Sequence, residues 1–250
     1  MKLTFLGTGD VRQVPVYGCH CGACDAARED DRLRRRPCSA LLESDDKRVL
    51  IDGGLTDLAE RFAPGDLNAI LLTHYHVDHV QGLFHLRWGL NDSIPVYGPD
   101  DRDGCADLLK HPGILDFRAP LVPFVALIMG DVQITPLQLR HSKPTFGYLF
   151  ERNGRRIAYL TDTVGLPPET ESFLKQYEEL EVVIDCSQPP CAEPPRNHND
   201  LSLVLGIHQR LQPRRTWLTH LGHEMDVWLQ QHSLPDAVCV ARDNLELMLY

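Results

Sequence analysis

The stretch ILLTHYHVDHVQG, residues 70–82, sets His74, His76, Asp78 and His79 within six positions, directly after an apolar run. In an extended segment, side chains two residues apart point to the same side, so His74 and His76 share a face. Asp78 and His79 follow as the chain turns into the next element. Four donor groups then converge without help from elsewhere, and imidazole with carboxylate suits Zn²⁺, Mn²⁺ or Fe²⁺. A solvated polar turn explains one such histidine but not this density. Four donors in one place can divide between two metals, which requires more donors downstream. His141 in LQLRHSKPTFGY, Asp162 in AYLTDTVG and His220 in TWLTHLGH are the candidates. Taken singly, each also reads as an ordinary loop residue, and Asp162 as a helix cap.

A second constellation lies in GCHCGAC. Cys19, Cys21 and Cys24 have the spacing of thiolates that wrap one face of a tetrahedral Zn²⁺. The fourth donor must come from elsewhere, from His20, Cys38 or His223. Of these, His20 sits between two ligands and should point away, and Cys38 reads as a small buried residue. A redox motif is the competing reading of the cysteines.

The elements that must position these groups are short β-type runs: KLTFLG, RVLID, AILLTH, IPVYG, VQITPLQL, FGYLFER, RIAYLTD, EVVIDCS and RTWLTH. Several are almost continuously apolar, as in strands buried on both faces. Helical segments are expected over 55–62, 101–110, 167–178, 200–210 and 225–231. The arrangement predicts an α/β fold with two mixed sheets, as one domain over 1–250. The chemically loaded residues follow strand ends: His74 after ILLT, Asp162 after AYLT, Asp185 after VVI and His220 after TWLT. Loops held by a rigid sheet are the usual place for a site.

The chain has 250 residues, 43% hydrophobic, and a net charge of −10. That charge argues against a general nucleic-acid binder and against docking on an anionic membrane. The basic run RLRRR, residues 32–36, reads as a solvated face. No uncharged run approaches the ~20 residues of a membrane helix. MKLTFLGTGD lacks the apolar core of a signal peptide, so a cytoplasmic protein with reduced thiols is expected.

The order H-x-H-x-D-H, then a distant His, Asp and His, resembles the metallo-β-lactamase superfamily with its αββα sandwich. LGTGD and VLIDGG fit the same pattern. Longer motifs, among them GCHCGAC, RRRPCSALL, IPVYGPDD, KHPGILDF, HSKPTFGYL, DCSQPP, PRNHNDL and LTHLGHEMDVWL, resemble the phosphodiesterases of the carbon–phosphorus lyase pathway of phosphonate breakdown. That family opens 5-phosphoribosyl 1,2-cyclic phosphate to ribose 1,5-bisphosphate. The similarity runs over essentially the whole chain.

The resemblance implies two divalent cations. His74, His76 and His141 would hold the first, Asp78, His79 and His220 the second, and Asp162 would bridge them. The family favours Mn²⁺, while the donor types also admit Zn²⁺. Such a pair lowers the pKa of a shared water and arms it against phosphorus. Two dications against two carboxylates leave roughly two net positive charges, enough for an acidic protein to hold an anionic ester. The resemblance also gives His223 as the fourth ligand of a structural Zn²⁺ on a loop spanning about residues 18–25. His198, in PPRNHNDL, becomes the first choice for general acid or for a contact to the reacting phosphate, with Asp78 its rival. Asp52 in IDGG would orient the ligand loops. Lys143, Tyr148 and Arg196 are candidates for the substrate's second phosphate. The expected partner is thus a small cyclic phosphate, with a homodimer left open. Two other readings stand beside it: a tRNA 3′-processing nuclease or 2′,3′-cyclic nucleotide phosphodiesterase of the same fold, and a non-catalytic metal-binding carrier.

Overall fold

The computed structural model describes residues 1–45, 47–90, 92–101, 103–193 and 195–249. Arg102, inside the helix expected over 101–110, and Pro194, in PPRNHNDL, therefore lie outside the described residues. Strands β1 (Lys2–Gly7), β2 (Ser39–Ser44), β3 (Lys47–Ile51), β4 (Ala69–Leu71), β5 (Ile94–Tyr97) and β6 (Leu115–Phe117) belong to the first sheet. The second holds β7 (Leu127–Met129), β8 (Val132–Gln138), β9 (Phe146–Arg152), β10 (Arg155–Leu160), β11 (Leu180–Asp185), β12 (Arg215–Thr219) and β13 (Val238–Val240). The last strand, β14 (Glu246–Met248), returns to the first sheet beside β1. The orders are β14-β1-β2-β3-β4-β5-β6 and β13-β12-β11-β10-β9-β8-β7.

The apolar runs read from the sequence are continuous because each strand is covered on both sides. Leu3, Phe5, Ala40, Leu42, Val49, Ile51, Ala69 and Leu71 of the first sheet meet Ile134, Tyr148, Phe150, Ile157, Tyr159 and Val183 of the second in one buried cluster. Their alternates, Leu41, Leu50 and Ile70, point outward into a cluster shared with Leu58 of α2 (Leu58–Arg61) and with Leu83 and Leu86 of α4 (Leu83–Leu86). Leu149, Ala158, Leu160, Val182 and Ile184 likewise face Leu174 of α6 (Pro168–Leu174), Val204 and Ile207 of α7 (Leu201–Leu211) and Met225 of α8 (His223–Leu229). Helix, sheet, sheet, helix is the layer order this alternation requires. The remaining α-helices among the described residues are α1 (Gly22–Glu29), α3 (Val77–Val80) and α5 (Ala106–Lys110).

The nine expected strands are all present, and five of the helices fall where the sequence placed them. Helix α1 was not expected: its residues, GACDAARE, sit against the cysteines, and only Ala23, Cys24 and Ala27 are buried. RLRRR is not wholly solvated. Arg35 is 6% exposed and makes a two-pronged ion pair with Asp226, besides donating to Thr8 Oγ1 and the Ala241 carbonyl. A buried guanidinium needs such a set of partners.

β3, β4 and β5 run parallel, as do β10, β11, β12 and β13. Their carboxyl ends open along one edge, where Asp52, His74, Asp162, Asp185 and His220 follow. The loop after β3 is drawn tightly against α3: Gly53 N–H donates to the His79 carbonyl at 2.7 Å, and Gly82 N–H donates to the Gly53 carbonyl at 2.8 Å. A Cβ on Gly54 would lie 1.7 Å from the Asp78 carbonyl oxygen. Only glycine lets the two backbones approach so closely. Gly54→Ala should therefore destabilise the fold by about 3 kcal/mol, the upper end of the usual overpacking cost. Urea denaturation checks it, and an unchanged midpoint would refute the close-packing argument.

Candidate metal centre

Three residues of the strand-end loops hold left-handed backbone although none is glycine: Asp52 (φ 60°), Asp162 (φ 62°) and His220 (φ 52°). Such strain persists only where the surroundings over-determine it, and it gathers at functional sites. Asp52 is fully buried and accepts from the Thr73 amide, the Thr73 hydroxyl and His79 Nδ1, at 2.8, 2.8 and 2.7 Å. It ties the end of β3 to the loop after β4 and to His79.

The seven residues expected to act together do meet. His74 Nε2 lies 2.9 Å and His141 Nε2 3.1 Å from His76 Nδ1. His79 Nε2 lies 3.4 Å and His220 Nε2 3.7 Å from Asp78 Oδ2. Asp162 stands between the sets: its Oδ1 is 3.9, 3.8 and 3.4 Å from the Nε2 atoms of His74, His141 and His220, and its Oδ2 is 3.3 Å from His79 Nε2. Donor atoms of His74, His76 and His141, of His74, His79 and Asp162, and of Asp78, His79 and His220 each lie within 4.8 Å of one another.

The outer ring nitrogens fix what the inner ones offer. His141 Nδ1–H donates to the Asn197 carbonyl at 3.0 Å, which leaves Nε2 as a lone pair aimed inward. His79 Nδ1 is engaged by Asp52, His220 Nδ1 by Ser187 Oγ at 3.1 Å and His74 Nδ1 by Thr73 Oγ1 at 3.0 Å. This is the outer support that metal-binding histidines need. His79 Nε2 and His220 Nε2 are buried with no hydrogen-bond partner among the described residues. Two donors on one Zn²⁺-sized ion stand ~3.4 Å apart, close to the spacings here. The residues present fit divalent cations.

Electrostatics agree. Burial works against charge on His79, yet Asp162, Asp52 and Asp78 hold its pKa well above the usual imidazole value. Burial also opposes His220, but Asp162 and Asp78 raise it to about 9. Asp162 and Asp78 are held below the carboxylate range, against burial, by these same histidines. Burial drives His141 down to about 4 and His74 well below its ordinary value. Without a cation, protons on His79 and His220 neutralise the carboxylates in its stead.

His198 lies at the rim, its side chain 31% exposed. Its ring stacks on His220 with centroids 4.7 Å apart and 17° between planes, and touches His141 at 5.0 Å. Its Nδ1 is 3.1 Å from Asp185 Oδ2. The sequence marked Asp185 as a strand-end residue but gave it no role, because its partner lies 13 residues on in an irregular loop.

Of the candidates for a second phosphate, Lys143 lies two residues past His141 and borders a cleft of about 700 Å³ that His141, Arg140 and Ser142 also line, but its ammonium is paired with Asp101 at 2.9 Å. Arg196 is exposed on the His198 loop. Tyr148 requires correction: it is fully buried between the sheets, and its hydroxyl donates to the Leu72 carbonyl at 2.6 Å. It presents nothing to a ligand.

The second constellation also assembles. His223 Nδ1 is 3.4, 3.3 and 3.7 Å from the sulfurs of Cys19, Cys21 and Cys24. Its Nε2 faces Glu224 at 3.0 Å, and Arg12 holds Glu224 in turn. Burial opposes ionisation of Cys21, but the contact with His223 brings its thiol down to about 6, whereas burial lifts Cys24 to about 12. Three sulfurs this close cannot all ionise without a cation. His20 turns outward to Asp25, and Cys38 is buried against Tyr159, Thr161 and Thr219.

An αββα sandwich with a His/Asp cluster at its strand ends is the arrangement of the metallo-β-lactamase fold. The family model for the beta-lactamase superfamily domain matches residues 47–221, and the chain belongs to that family. It is similar to an octanoyltransferase of Porphyromonas gingivalis, at 32% identity over the whole of this chain and 52% of that protein. It is also similar to coenzyme PQQ synthesis protein B of Methylobacterium radiotolerans, at 28% identity over 64% of each. The chain thus spans about half to two thirds of the length of these relatives. Among solved structures, a diphosphatase from the PhnP family superposes with a TM-score of 0.82 at 25% identity, over 100% of this chain and 98% of that one. No helix among the described residues is long and apolar enough to cross a membrane.

Metal-free protein should show a definite pH dependence. Because the folded-state pKa of His220 is about 9 against an ordinary 6.5, its contribution is fully present below 6.5 and is lost as pH rises through 9. Chelator-treated protein should therefore lose thermal stability between pH 6.5 and 9, and saturating divalent cation should flatten that slope. Equal slopes with and without cation would contradict the assigned charge balance.

Proposed function

We propose that this chain is a dinuclear-metal phosphodiesterase that opens 5-phospho-α-D-ribose 1,2-cyclic phosphate to ribose 1,5-bisphosphate in phosphonate breakdown. The observation that carries it is the convergence of two donor sets on one carboxylate, Asp162, with His198 at the rim 3.7 Å from the same carboxylate. The likeness to a PhnP-family diphosphatase supports phosphorus chemistry on this frame.

In this reading His74, His76 and His141 hold one cation, Asp78, His79 and His220 the other, and Asp162 both; Mn²⁺ is favoured and Zn²⁺ admitted. Bound cations would supply charge neutralisation at the phosphoryl oxygens and a water acidified toward neutral pH. The chain's own groups do the rest. Asp52, Thr73, Ser187 and the Asn197 carbonyl fix the ring orientations. The inward Nε2 of His141, whose proton is on Nδ1, offers a lone pair that a cation would take. His198, in reach of the cluster and partly exposed, hands a proton to the leaving oxygen. Asp78, whose carboxylate stays ionised at neutral pH, is better suited to holding charge than to giving a proton. Lys143, which lines the cleft beside His141, and Arg196, exposed on the His198 loop, remain the candidates for the second phosphate.

Cys19, Cys21, Cys24 and His223 would hold a structural Zn²⁺. Four donors close such a site, so it shapes the wall beside His220 and does not react. The nuclease and cyclic-nucleotide readings keep the same chemistry. The net charge of −10 and the absence of a long basic insertion in the sequence weigh against a tRNA substrate. A carrier protein would not need His198 held against Asp185.

His76→Ala should lose at least ~10³-fold in turnover of the ribosyl cyclic phosphate, followed by ³¹P NMR, with one equivalent of metal lost and the fold retained. Full turnover in that variant would overturn the assignment. Cys21→Ser should release zinc on elemental analysis and lower the melting temperature while the two active-site metals stay; an unchanged zinc content would remove the structural site.

A further inference from the structure

We infer that the arginine-rimmed cavity between α1, α8 and β13 is a binding site for a small amphipathic carboxylate, an unbranched chain of medium length with one anionic end. The cavity shares no residue with either metal-donor set, so the inference stands apart from the phosphodiesterase reading.

The cavity holds about 510 Å³, within the ~300–1,000 Å³ usual for small-molecule sites. Ala23 and Ala26 of α1 form one wall, and Val240 of β13 forms another. Its floor is apolar. Leu229, Leu234 and Val240 are the half-buried flank of the apolar cluster on the outer face of the second sheet. Leu33, in the helical turn Asp31–Leu33, stands over them with 41% of its surface exposed. Apolar surface left at a wet edge gains free energy when a ligand covers it.

The polar side of the cavity carries one sign of charge. Arg32, Arg34, Arg35 and Arg242 line it, and Asp226 is the one acid among the described lining residues. Asp226 is already spent on Arg35, which grips it with Nε and Nη2. Asp30 holds Arg32 through Nε and Nη2, so Nη1 is left over. Arg34 turns only its Nε to the Ala27 carbonyl and Asp31, which leaves both terminal nitrogens. Arg242 is exposed, and its guanidinium has no partner among the described residues. In a chain of net charge −10, these cations have acids to choose from and lack them here.

The two halves select the ligand together. A planar guanidinium fork suits a carboxylate head, which pairs with two donors at once. An apolar floor suits a tail. An uncharged chain would leave the guanidinium groups unpaired, a cationic one would be repelled, and acetate would leave the floor bare. The helices that frame the cavity also carry Cys24 and His223, so a ligand spanning them braces that junction, and binding to the folded state alone raises its stability.

The test is calorimetric titration of the metal-loaded full chain with decanoate, octanoate, hexanoate, acetate, 1-decanol and decyltrimethylammonium, below micelle-forming concentrations. Decanoate should bind at one site per chain and raise the melting temperature. Affinity should fall about fourfold for each methylene removed, the usual worth of a buried CH₂. The alcohol and the ammonium should bind at least about tenfold more weakly, since a charge-assisted pair is lost. Arg242→Ala, at an exposed and unpaired position, should keep the melting temperature of the free protein and bind decanoate roughly fivefold more weakly. Leu33→Asp should weaken it by at least about tenfold, and His76→Ala should leave it unchanged. No binding of decanoate, equal binding of the alcohol, or wild-type affinity in both Arg242→Ala and Leu33→Asp would overturn the inference. Binding lost in His76→Ala would place the acid on the metal centre and overturn it as well.

Discussion

A carboxylate with 2% of its surface exposed, Asp162, faces nitrogens of five histidines at 3.3–3.9 Å. No apolar packing explains such a gathering. Burial alone would push Asp162 toward its neutral form, yet its neighbours hold it ionised. Burial alone would strip protons from the histidines, yet two of them keep theirs. The cluster is balanced only by positive charge at its centre, and protons are a poor substitute for dications there. The surrounding fold accepts two kinds of cost to maintain it: left-handed backbone at Asp52, Asp162 and His220, and close backbone contact at Gly54.

The two sheets make that gathering feasible because each brings half of it. The first supplies Asp52 and the residues from His74 to His79; the second supplies His141, Asp162, Asp185 and His220. Their relative placement is held by the apolar layer between them and by links at the edge: the Phe146 amide donates to the Thr73 carbonyl at 2.9 Å, and Tyr148 reaches the Leu72 carbonyl. Tyr148 thus serves the site by joining the sheets beneath it. The cysteine cluster adds a tie at the other end. The Leu221 amide donates to the Thr8 carbonyl and the Asp10 amide to the Leu221 carbonyl, so the segment between His220 and His223 is pinned to the chain that leads into Cys19.

The sequence showed the first donor set plainly because H-x-H-x-D-H is local: one strand end and one turn bring four donors together. Asp162 and His220 stood out by their position after strands, and His141 joined them through the order shared with the family. The Asp185–His198 pair did not, since it depends on where a loop folds back onto β11. Tyr148 was misplaced for a reason the sequence did contain. It alternates with Phe150 on one strand face, and period 2 sends both toward the other sheet. Arg35 was hidden by its neighbours in RLRRR: Arg32 and Arg34 are exposed as a basic run suggests, and only the backbone path turns Arg35 inward to Asp226. Short edge strands such as β7, β13 and β14, with three residues each, carry too little pattern to be read at all.

The overall charge and the proposed substrate are reconciled by where positive charge resides. A protein with net charge −10 does not attract phosphates through its surface. Near the cleft Lys143 is neutralised by Asp101, and Arg12 is shared by Asp10 and Glu224. Positive charge for the reacting phosphate is then concentrated at the histidine cluster when cations are bound there, and Lys143 and Arg196 are left for the second phosphate. In the proposed reading, affinity for the reacting phosphate and catalytic competence both depend on bound metal. A polyanion such as tRNA needs cations spread over many phosphates, whereas a small sugar phosphate needs them only at its own two groups.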